Sequence, residues 1–471
     1  MRPVATVAEV RAADADALQE TDQSVLVARA GTVVAREALA LLGSGYGRRV
    51  TVVVGKGNNG ADGRVAALAL RRRGATVAVL DAAAAPARLD PCDLVVDAAY
   101  GTGFRGAYDA PEVPVGVPVL AVDIPSGVDG DTGEARGRPM AAARTVTFAA
   151  LKPGLLQWDG GRLAGRVTVV DIGVPVATPP VQLVEDDDVE ALLPPRAANT
   201  HKWSSALAVV GGSPGMEGAA TLSSAGASHA GAGMVRLAVP SGGTSAGADR
   251  PGPWPLEAVR VALPAEHWSA DVLAVLERCR ALVVGPGLGR DEATVSEVRR
   301  LVARAPVPVV ADADALTALG DAESARSLLV GDRPVVVTPH DGEYARMAGH
   351  DPGPDRIAAA RGLAERIGAV VLLKGSLTAV AAPPPATGDP SRVLLAAAGS
   401  SRLATAGTGD VLSGVIGAFL ARGMPALEGA GLGAHVHGRA ASIGPAEGLV
   451  AGDLPALVAT WLSRVADGGG S

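Results

Sequence analysis

Short runs of Val, Leu and Ala, each broken at once by a turn of Gly, Asp and Asn, recur along the whole chain and leave few folds open to it. Arg49–Val54 runs into Gly55-Lys56-Gly57-Asn58-Asn59-Gly60-Ala61-Asp62-Gly63, and Asp93–Asp97 precedes Gly101-Thr102-Gly103-Phe104-Arg105-Gly106. Val117–Asp123 leads into Ile124-Pro125-Ser126-Gly127. These runs lack the polar alternation of a half-wet sheet, so they read as strands buried on both faces of a parallel sheet. Ala75–Leu80, Arg144–Phe148 and Arg166–Asp171 extend the series. Residues 7–42 read as one or two helices ending near Gly43, and Asp62–Arg73 as a helix stopped by Gly74. The pattern predicts an open, doubly wound α/β domain.

It then restarts. Val174–Pro180 is Pro-rich, Glu185–Glu190 is acidic and Pro194–Asn199 adds another break, which puts a domain boundary near residue 180. Beyond it, strands are expected at Ala206–Val210, Val235–Val239, Leu282–Val284, Val307–Ala311, Pro334–Val337, Val370–Leu373 and Leu377–Ala381. Helices are expected at Glu292–Ala303, Pro354–Ile367 and Val411–Arg422, and Ser241–Pro255 reads as a loop excursion. A chain of 471 residues has room for two or three domains at roughly 150 residues each. With 48% hydrophobic and 19% charged residues it is no disordered chain. Its 42 Lys and Arg against 49 Asp and Glu leave it at −7, and the densest basic cluster, Arg71-Arg72-Arg73, sits at a helix end where it complements the dipole. A nucleic-acid partner is therefore not expected. The N-terminus has no apolar signal core, no stretch reads as a membrane span, and Cys92 and Cys279 read as separate reduced thiols, so a soluble cytoplasmic protein is expected.

Ligands of open parallel sheets sit outside the carboxyl ends of the strands. The loop after Val54 offers a close backbone approach and a helix N-terminus, but no Lys-Ser/Thr pair closes it as in a Walker A loop. Asn58, Asn59 and Asp62 add oxygen ligands for substrate hydroxyls or a hard cation. Asp97 and Asp123 could simply cap turns. Taken with Asn59 and Ser126, however, they make a converging oxygen-rich site. In the second block Ala406-Gly407-Thr408-Gly409-Asp410 opens an apolar helix, a combination of anion-binding amides and a base suited to phosphoryl transfer. Gly285-Pro286-Gly287, Asp312-Ala313-Asp314, Thr338-Pro339-His340-Asp341-Gly342-Glu343 and Lys374-Gly375 each follow a strand. His435 and His437 flank Val436 on different faces of a helix and make no metal pair. His201-Lys202-Trp203 reads equally as a surface turn or as a lip on the site.

In combination these stretches are specific. Through GKGNNGADG, DAAYGTGFRG and VDIPSGVDGDTG the first block resembles the NAD(P)H-hydrate epimerases. Through VVGGSPGMEGA, GAGMV, VVGPGLG, DADAL, TPHDGE, LKGSLT and AGTGDVLSG the second resembles the ADP-dependent NAD(P)H-hydrate dehydratases. The resemblance implies a Rossmann-like doubly wound domain over 1–180 and a ribokinase-like α/β domain over 181–471. It implies that Asn58, Asn59, Gly60, Ala61, Asp62, the loop Gly101, Thr102, Gly103, Phe104, Arg105, Gly106, Ala107, and Asp123 hold the hydrated dinucleotide. Asn59, Asp97 and Ser126 would ligate K+. Asp123, with Lys152 of TFAALKPG, would move protons. In the second domain Gly287, the segment from His340, Asp341, Gly342 and Glu343 to Arg346, and Asp410 would contact the hydrate, with Asp410 catalytic. Lys374, Gly375, Ser376, Leu377 and Thr378, with Ser400–Gly409 (including Ala406, Gly407, Thr408 and Gly409), would bind ADP, accompanied by Mg2+. The implied partners are NADHX, NADPHX and ADP, with neither nucleic acid nor membrane and with a homo-oligomeric state. Two departures from the family pattern stand out: Ala61 where a second glycine is usual, and Asp341 where Pro is common. A ribokinase-like metabolite (vitamin) kinase with a fused nucleotide-binding domain is the competing reading. A non-catalytic binding role for the first domain is a further one.

Overall fold

A computed structural model of the chain describes residues 1–240 and 254–466. Most of the expected excursion Ser241–Pro255 lies outside the described residues. The chain divides into two compact units, Arg2–Pro179 and Pro180–Ser471 with Met1.

In the first unit, helices α1 (Val7–Glu20) and α2 (Gln23–Leu42) lead into a six-stranded sheet. Thr6 caps α1 in a reciprocal capping box with Glu9, and α2 ends at Gly43, which takes a φ of +70°. The strands are β1 (Arg49–Val54), β2 (Thr76–Asp81), β3 (Leu94–Ala98), β4 (Val119–Val122), β5 (Arg144–Phe148) and β6 (Arg166–Val170), with helix α3 (Asn58–Arg72) between β1 and β2. Their order is β2-β1-β3-β4-β5-β6, and every pairing is parallel. Val50, Val52 and Val54 bury one face of β1 against Ala30, Val34 and Ala38 of α2 and Ala66 and Leu70 of α3. Val53 and Val95 bury the opposite face with Leu89, Val119 and Met140. Both faces are dry, as the unbroken apolar runs require. The chain reverses its direction of travel across the sheet between β1 and β3, and the carboxyl ends there open a crevice.

The second unit repeats the logic on a larger scale. Its strands are β7 (Val181–Leu183), β8 (Ala206–Val210), β9 (Met234–Pro240), β10 (Ala258–Leu263), β11 (Ala281–Val284), β12 (Val309–Ala311), β13 (Val335–Val337), β14 (Val370–Leu373), β15 (Thr378–Ala381) and β16 (Val393–Ala396). They lie in the order β10-β9-β8-β11-β12-β13-β14-β15-β16-β7. Only β15 runs antiparallel to its neighbours. The reversal falls between β8 and β11, where Gly212 donates its amide to the carbonyl of Pro286 at 2.9 Å. Small residues set the helix spacing. A Cβ on Gly414 would lie 1.9 Å from the carbonyl of Ser223, and one on Gly226 would lie 2.6 Å from that of Val411. Helix α6 (Glu217–His229) therefore meets helix α13 (Thr408–Ala421) backbone to backbone. Further helices are α5 (Asp186–Leu192), α7 (Ser269–Leu276), α8 (Glu292–Arg304), α9 (Asp314–Leu319), α10 (Ala322–Leu328), α11 (Asp341–Ala348), α12 (Arg356–Ile367), α14 (Ala426–Ser442) and α15 (Leu454–Ala466), with the short α4 (Trp158–Leu163) in the first unit. No helix among the described residues is long and apolar enough to cross a membrane. Cys92 and Cys279 are free thiols.

Candidate active sites at the strand ends

At the end of β1 the backbone crosses that of the next strand at close range. A Cβ on Gly55 would lie 1.9 Å from the carbonyl of Ala99, and one on Gly60 would lie 2.0 Å from that of Gly55. Gly57 is extended, and α3 begins directly after it at Asn58 rather than at Asp62, where the sequence suggested. The Asn pair is thus not in a loop but in the first turn of a helix, where free amides face the crevice.

Two of the candidate groups meet at the end of β3. Asp97, fully buried, accepts from the Ser126 hydroxyl at 2.6 Å and from the Ser126 amide at 2.9 Å. Burial pushes the Asp97 carboxyl upward against the pull of these hydrogen bonds. Asn59 is buried too, yet neither its amide oxygen nor its amide nitrogen has a partner. A buried primary amide left with both ends open is a group waiting for a ligand.

The second cluster stands at the ends of β4 and β5. Asp123 holds a φ of +66°, a left-handed conformation costly for a residue with a Cβ. Its Oδ1 accepts from Lys152 Nζ at 2.7 Å and from Thr147 Oγ1 at 3.1 Å. Burial presses the Asp123 carboxyl upward, but the Lys152 ammonium and the hydrogen bonds win and hold it below the usual range. Lys152 is itself 1% exposed and spends its remaining donors on Thr147 Oγ1 and the Phe148 carbonyl, both at 2.8 Å. The other carboxylate oxygen, Oδ2, lies 3.3 Å from where a Cβ on Gly101 would sit, with Asn59 Cγ at 3.5 Å from the same point. A side chain at position 101 would therefore fill the space between Asn59 and Asp123.

A cavity of about 570 Å³ opens over these groups. Asn58, Asn59, Asp62, Gly101, Thr102, Gly103, Phe104, Arg105, Asp123 and Lys152 line it, whereas Gly60, Ala61, Gly106 and Ala107 do not. Gly60 serves the close backbone crossing instead, and Asp97 and Ser126 are buried and do not line the cavity. The opposite wall was not read from the sequence. Arg11, Asp14 and Leu18 of α1 supply it, together with Gln23, which donates to Asn58 Oδ1 at 2.6 Å. The i, i+3, i+7 spacing of the α1 residues would have flagged a shared helix face, though not what the face looks onto.

The second unit gathers its candidates at the ends of β11 to β14 and the start of α13. Gly287 has a φ of +61°, and a Cβ there would come within 2.5 Å of the Met216 carbonyl. Asp314 accepts from the Gly289 amide at 2.9 Å and from Arg290 Nε at 2.8 Å. Asp312 accepts from Thr338 Oγ1 at 2.7 Å and from Lys374 Nζ at 2.6 Å. His340 caps α11 through Nδ1, which accepts from the amides of Gly342 and Glu343 at 3.0 and 3.4 Å, and Glu343 accepts in return from the His340 amide at 2.9 Å. Asp341 pairs with Arg356 at 2.9 Å. Arg356 also donates to the Lys374 carbonyl and fills the space beside Gly375, so Asp341 ties the His340 and Lys374 loops together. Leu377 is buried at 1% exposure and can offer a ligand only its backbone, while Ser376 and Ala406 are exposed.

Asp410 lies in the first turn of α13, after Gly407 with a φ of +90°. A Cβ on Gly409 would lie 3.3 Å from Lys374 Nζ, so the glycine lets the loop and the ammonium close up. Burial first, and then the neighbouring Asp312, push the Asp410 carboxyl up to about 7 against the opposing pull of Lys374. A carboxyl poised at neutrality beside helix amides suits proton transfer next to an anion. His437 is buried and pushed down to about 4, hence neutral, while His435 faces Asp186 at 2.7 Å. They point to different surroundings. His201-Lys202-Trp203 forms a turn, with the Arg278 guanidinium 3.9 Å above the Trp203 ring. Among the described residues no three His, Cys, Asp or Glu side chains group as metal ligands.

Comparison with known proteins accounts for both units. Residues 207–463 match the family described as NAD(P)H-hydrate dehydratase, and residues 23–89 and 81–154 match the YjeF-related protein N-terminus. The chain is 38% identical to the bifunctional NAD(P)H-hydrate repair enzyme of Mycobacterium leprae over 99% of this chain and 98% of that one. It is 40% identical to the enzyme of the same name from Mycobacterium tuberculosis over 91% of each. A ribokinase-like superfamily protein from Enterococcus faecalis, 21% identical, superposes with a TM-score of 0.50 over 61% of this chain and 97% of that one, which shows the fold of the second unit.

Proposed function

The chain belongs to the family of bifunctional NAD(P)H-hydrate repair enzymes, and from that premise we propose that it returns hydrated NADH and NADPH to use in two steps, one on each unit. Hydration places a hydroxyl on the ring carbon beside the nitrogen. That carbon is a hemiaminal, so its two configurations exchange through loss and return of the hydroxyl. The first unit, residues 1–180, would speed this exchange in the cavity between Asn58, Asp62, the 101–107 loop and Asp123. Asn59, Asp97 and Ser126 would hold a potassium ion: a buried amide with open valences, a carboxylate and a hydroxyl suit a large monovalent cation. Such an ion would supply fixed positive charge for the substrate's oxygens. Lys152 would keep Asp123 ionised and oriented.

The second unit, residues 181–471, would act on one epimer only. Hydroxide is a poor leaving group, so Asp410 would accept the proton of the hydroxyl as its oxygen attacks the terminal phosphorus of ADP and AMP departs. The phosphorylated carbon then loses phosphate as the ring nitrogen's electron pair restores the double bond. The amides of Gly407–Gly409 would receive the transferring charge. Lys374 to Thr378, with Ser400 to Ala406, would hold the nucleotide and its Mg2+, and Gly287 and the segment from His340 would hold the hydrate. Small nucleotides are the partners, in the cytoplasm, on a homo-oligomer.

What supports this reading is that candidate groups for each step gather at strand ends within each of the two compact units. The test mixes both epimers of hydrated NADH with ADP and Mg2+ and follows the return of NADH absorbance. Complete recovery, faster than spontaneous epimer exchange, is the expected result. Recovery stalling near half would remove the epimerase assignment. No recovery, with a stable phosphoester accumulating on an offered vitamin alcohol, would favour the metabolite kinase.

A further inference from the structure

Exchanging a hydroxyl between two faces of a ring takes a group that gives a proton to the departing oxygen and one that receives a proton from the returning water. Asp123 fits the second role. Lys152 does not fit the first: its three donors are engaged by Asp123, Thr147 and the Phe148 carbonyl, and it is 1% exposed. Among the carboxyl groups lining the cavity, two remain, Asp14 and Asp62. Asp14 is half-buried on α1, with the Lys152 ammonium among its neighbours. Asp62 is 6% exposed, stands in α3 one turn after Asn59, and makes no hydrogen bond or ion pair among the described residues. A carboxyl nine-tenths buried, unpartnered and turned onto a cavity shared with an ion-paired carboxylate is a group kept for a ligand.

We infer that Asp62 is the proton donor of the first unit, giving its proton to the hydroxyl oxygen of the hydrated nicotinamide ring; this rests on the epimerase reading above. In the forward direction the Asp62 proton passes to the hydroxyl, the carbon–oxygen bond breaks with its electron pair leaving on water, and the ring nitrogen's lone pair forms a carbon–nitrogen double bond. Water then adds to the other face of the same carbon, the double-bond pair returns to nitrogen, and the proton released goes to Asp123. Solvent returns it to Asp62, and the reverse reaction exchanges the two roles. No oxidant or co-substrate enters. The two carboxyls are set apart by their surroundings, as acid–base pairs are. Burial, and then the negative Asp123, push Asp62 up to about 8, while Asp123 is held low. The other charged groups around the cavity are Arg11 and Asp14 on α1, Arg105 on the 101–107 loop and Lys152.

The test uses the full chain with both epimers, ADP and Mg2+. The fast phase reports the second unit, and the slow phase reports epimer exchange. Asp62→Asn is expected to slow the kcat of the slow phase by about 100-fold with KM within about threefold and the fast phase unchanged. The limb by which wild-type exchange declines above pH 8 should disappear, whereas Asp62→Glu retains such a limb. Asp14→Asn should leave that limb where it is. A slow phase within about fivefold of wild type, a limb that persists in Asp62→Asn, a loss confined to KM, or a limb that moves with Asp14 instead would each overturn the assignment. A wild-type slow phase no faster than spontaneous exchange would instead remove the epimerase reading itself.

Discussion

Asp410, the base proposed for the second unit, sits where its charge costs the fold. Its carboxyl moves from an ordinary 3.8 up to about 7 because burial and Asp312 disfavour its charge. The folded state therefore holds a proton that the unfolded chain has already released. The stability it contributes is complete below pH 4, and is lost as pH rises through 7. The penalty at pH 8 is on the order of 2–4 kcal/mol. Asp410→Asn, which keeps the shape and never ionises, should raise the unfolding temperature of the second unit by several degrees at pH 8 and by little at pH 4. ADP-dependent return of NADH should fall at least 1,000-fold. Calorimetry at the two pH values, beside the absorbance assay, checks both halves. An equal effect at both pH values would mean that the carboxyl is not held neutral.

At the scale of elements, the position of Asp410 depends on how closely α13 can lie against α6. Val at position 414 would drive its Cβ into the Ser223 carbonyl, which stands 1.9 Å from that point. Gly414→Val should destabilise the second unit by 3 kcal/mol or more and abolish dehydration. Gly362→Ala, on the exposed side of α12 with nothing within 4 Å, should stabilise it by about 0.5–1 kcal/mol. Urea unfolding followed by a second-unit tryptophan such as Trp461 reads both. Much of this layout was legible in the sequence. Arg49–Val54, Arg144–Phe148, Ala206–Val210 and Val370–Leu373 form strands over the limits their Val-rich runs suggest, because those strands are paired on both sides. Val181–Leu183, Ala258–Leu263 and Val393–Ala396 went unread: they are at or next to the sheet's ends, where pairing rather than local propensity makes the strand. The same division holds for the sites. Asn59, Asp97, Asp123 and Ser126 lie at or directly beyond the carboxyl ends of Val-rich strands and could be picked out as candidates, although Asn59 belongs to the first turn of α3 and Asp97 to β3 itself. Arg11 and Asp14 share a helix face that their spacing marks, but only the packing of α1 through Val7, Val10 and Ala13 brings that face to the cavity.

For the whole molecule, two candidate sites stand on one chain, each within its own unit. Each unit has its own sheet, its own buried core and its own titratable groups at the strand ends. The intermediate that joins the two steps is a small dinucleotide that can diffuse. Damage to one site should therefore be repaired by a second chain damaged at the other. With both epimers supplied, Asp123→Asn should recover about half of the NADH quickly and the rest only at the spontaneous rate, and Asp410→Asn should recover almost none. An equimolar mixture of the two variant chains should reach complete recovery, at about half the wild-type rate per total chain. A mixture that stalls where Asp123→Asn alone stalls would show that the epimer passes between sites of a single chain without release. Independence of the two units would then fail as an account of the enzyme.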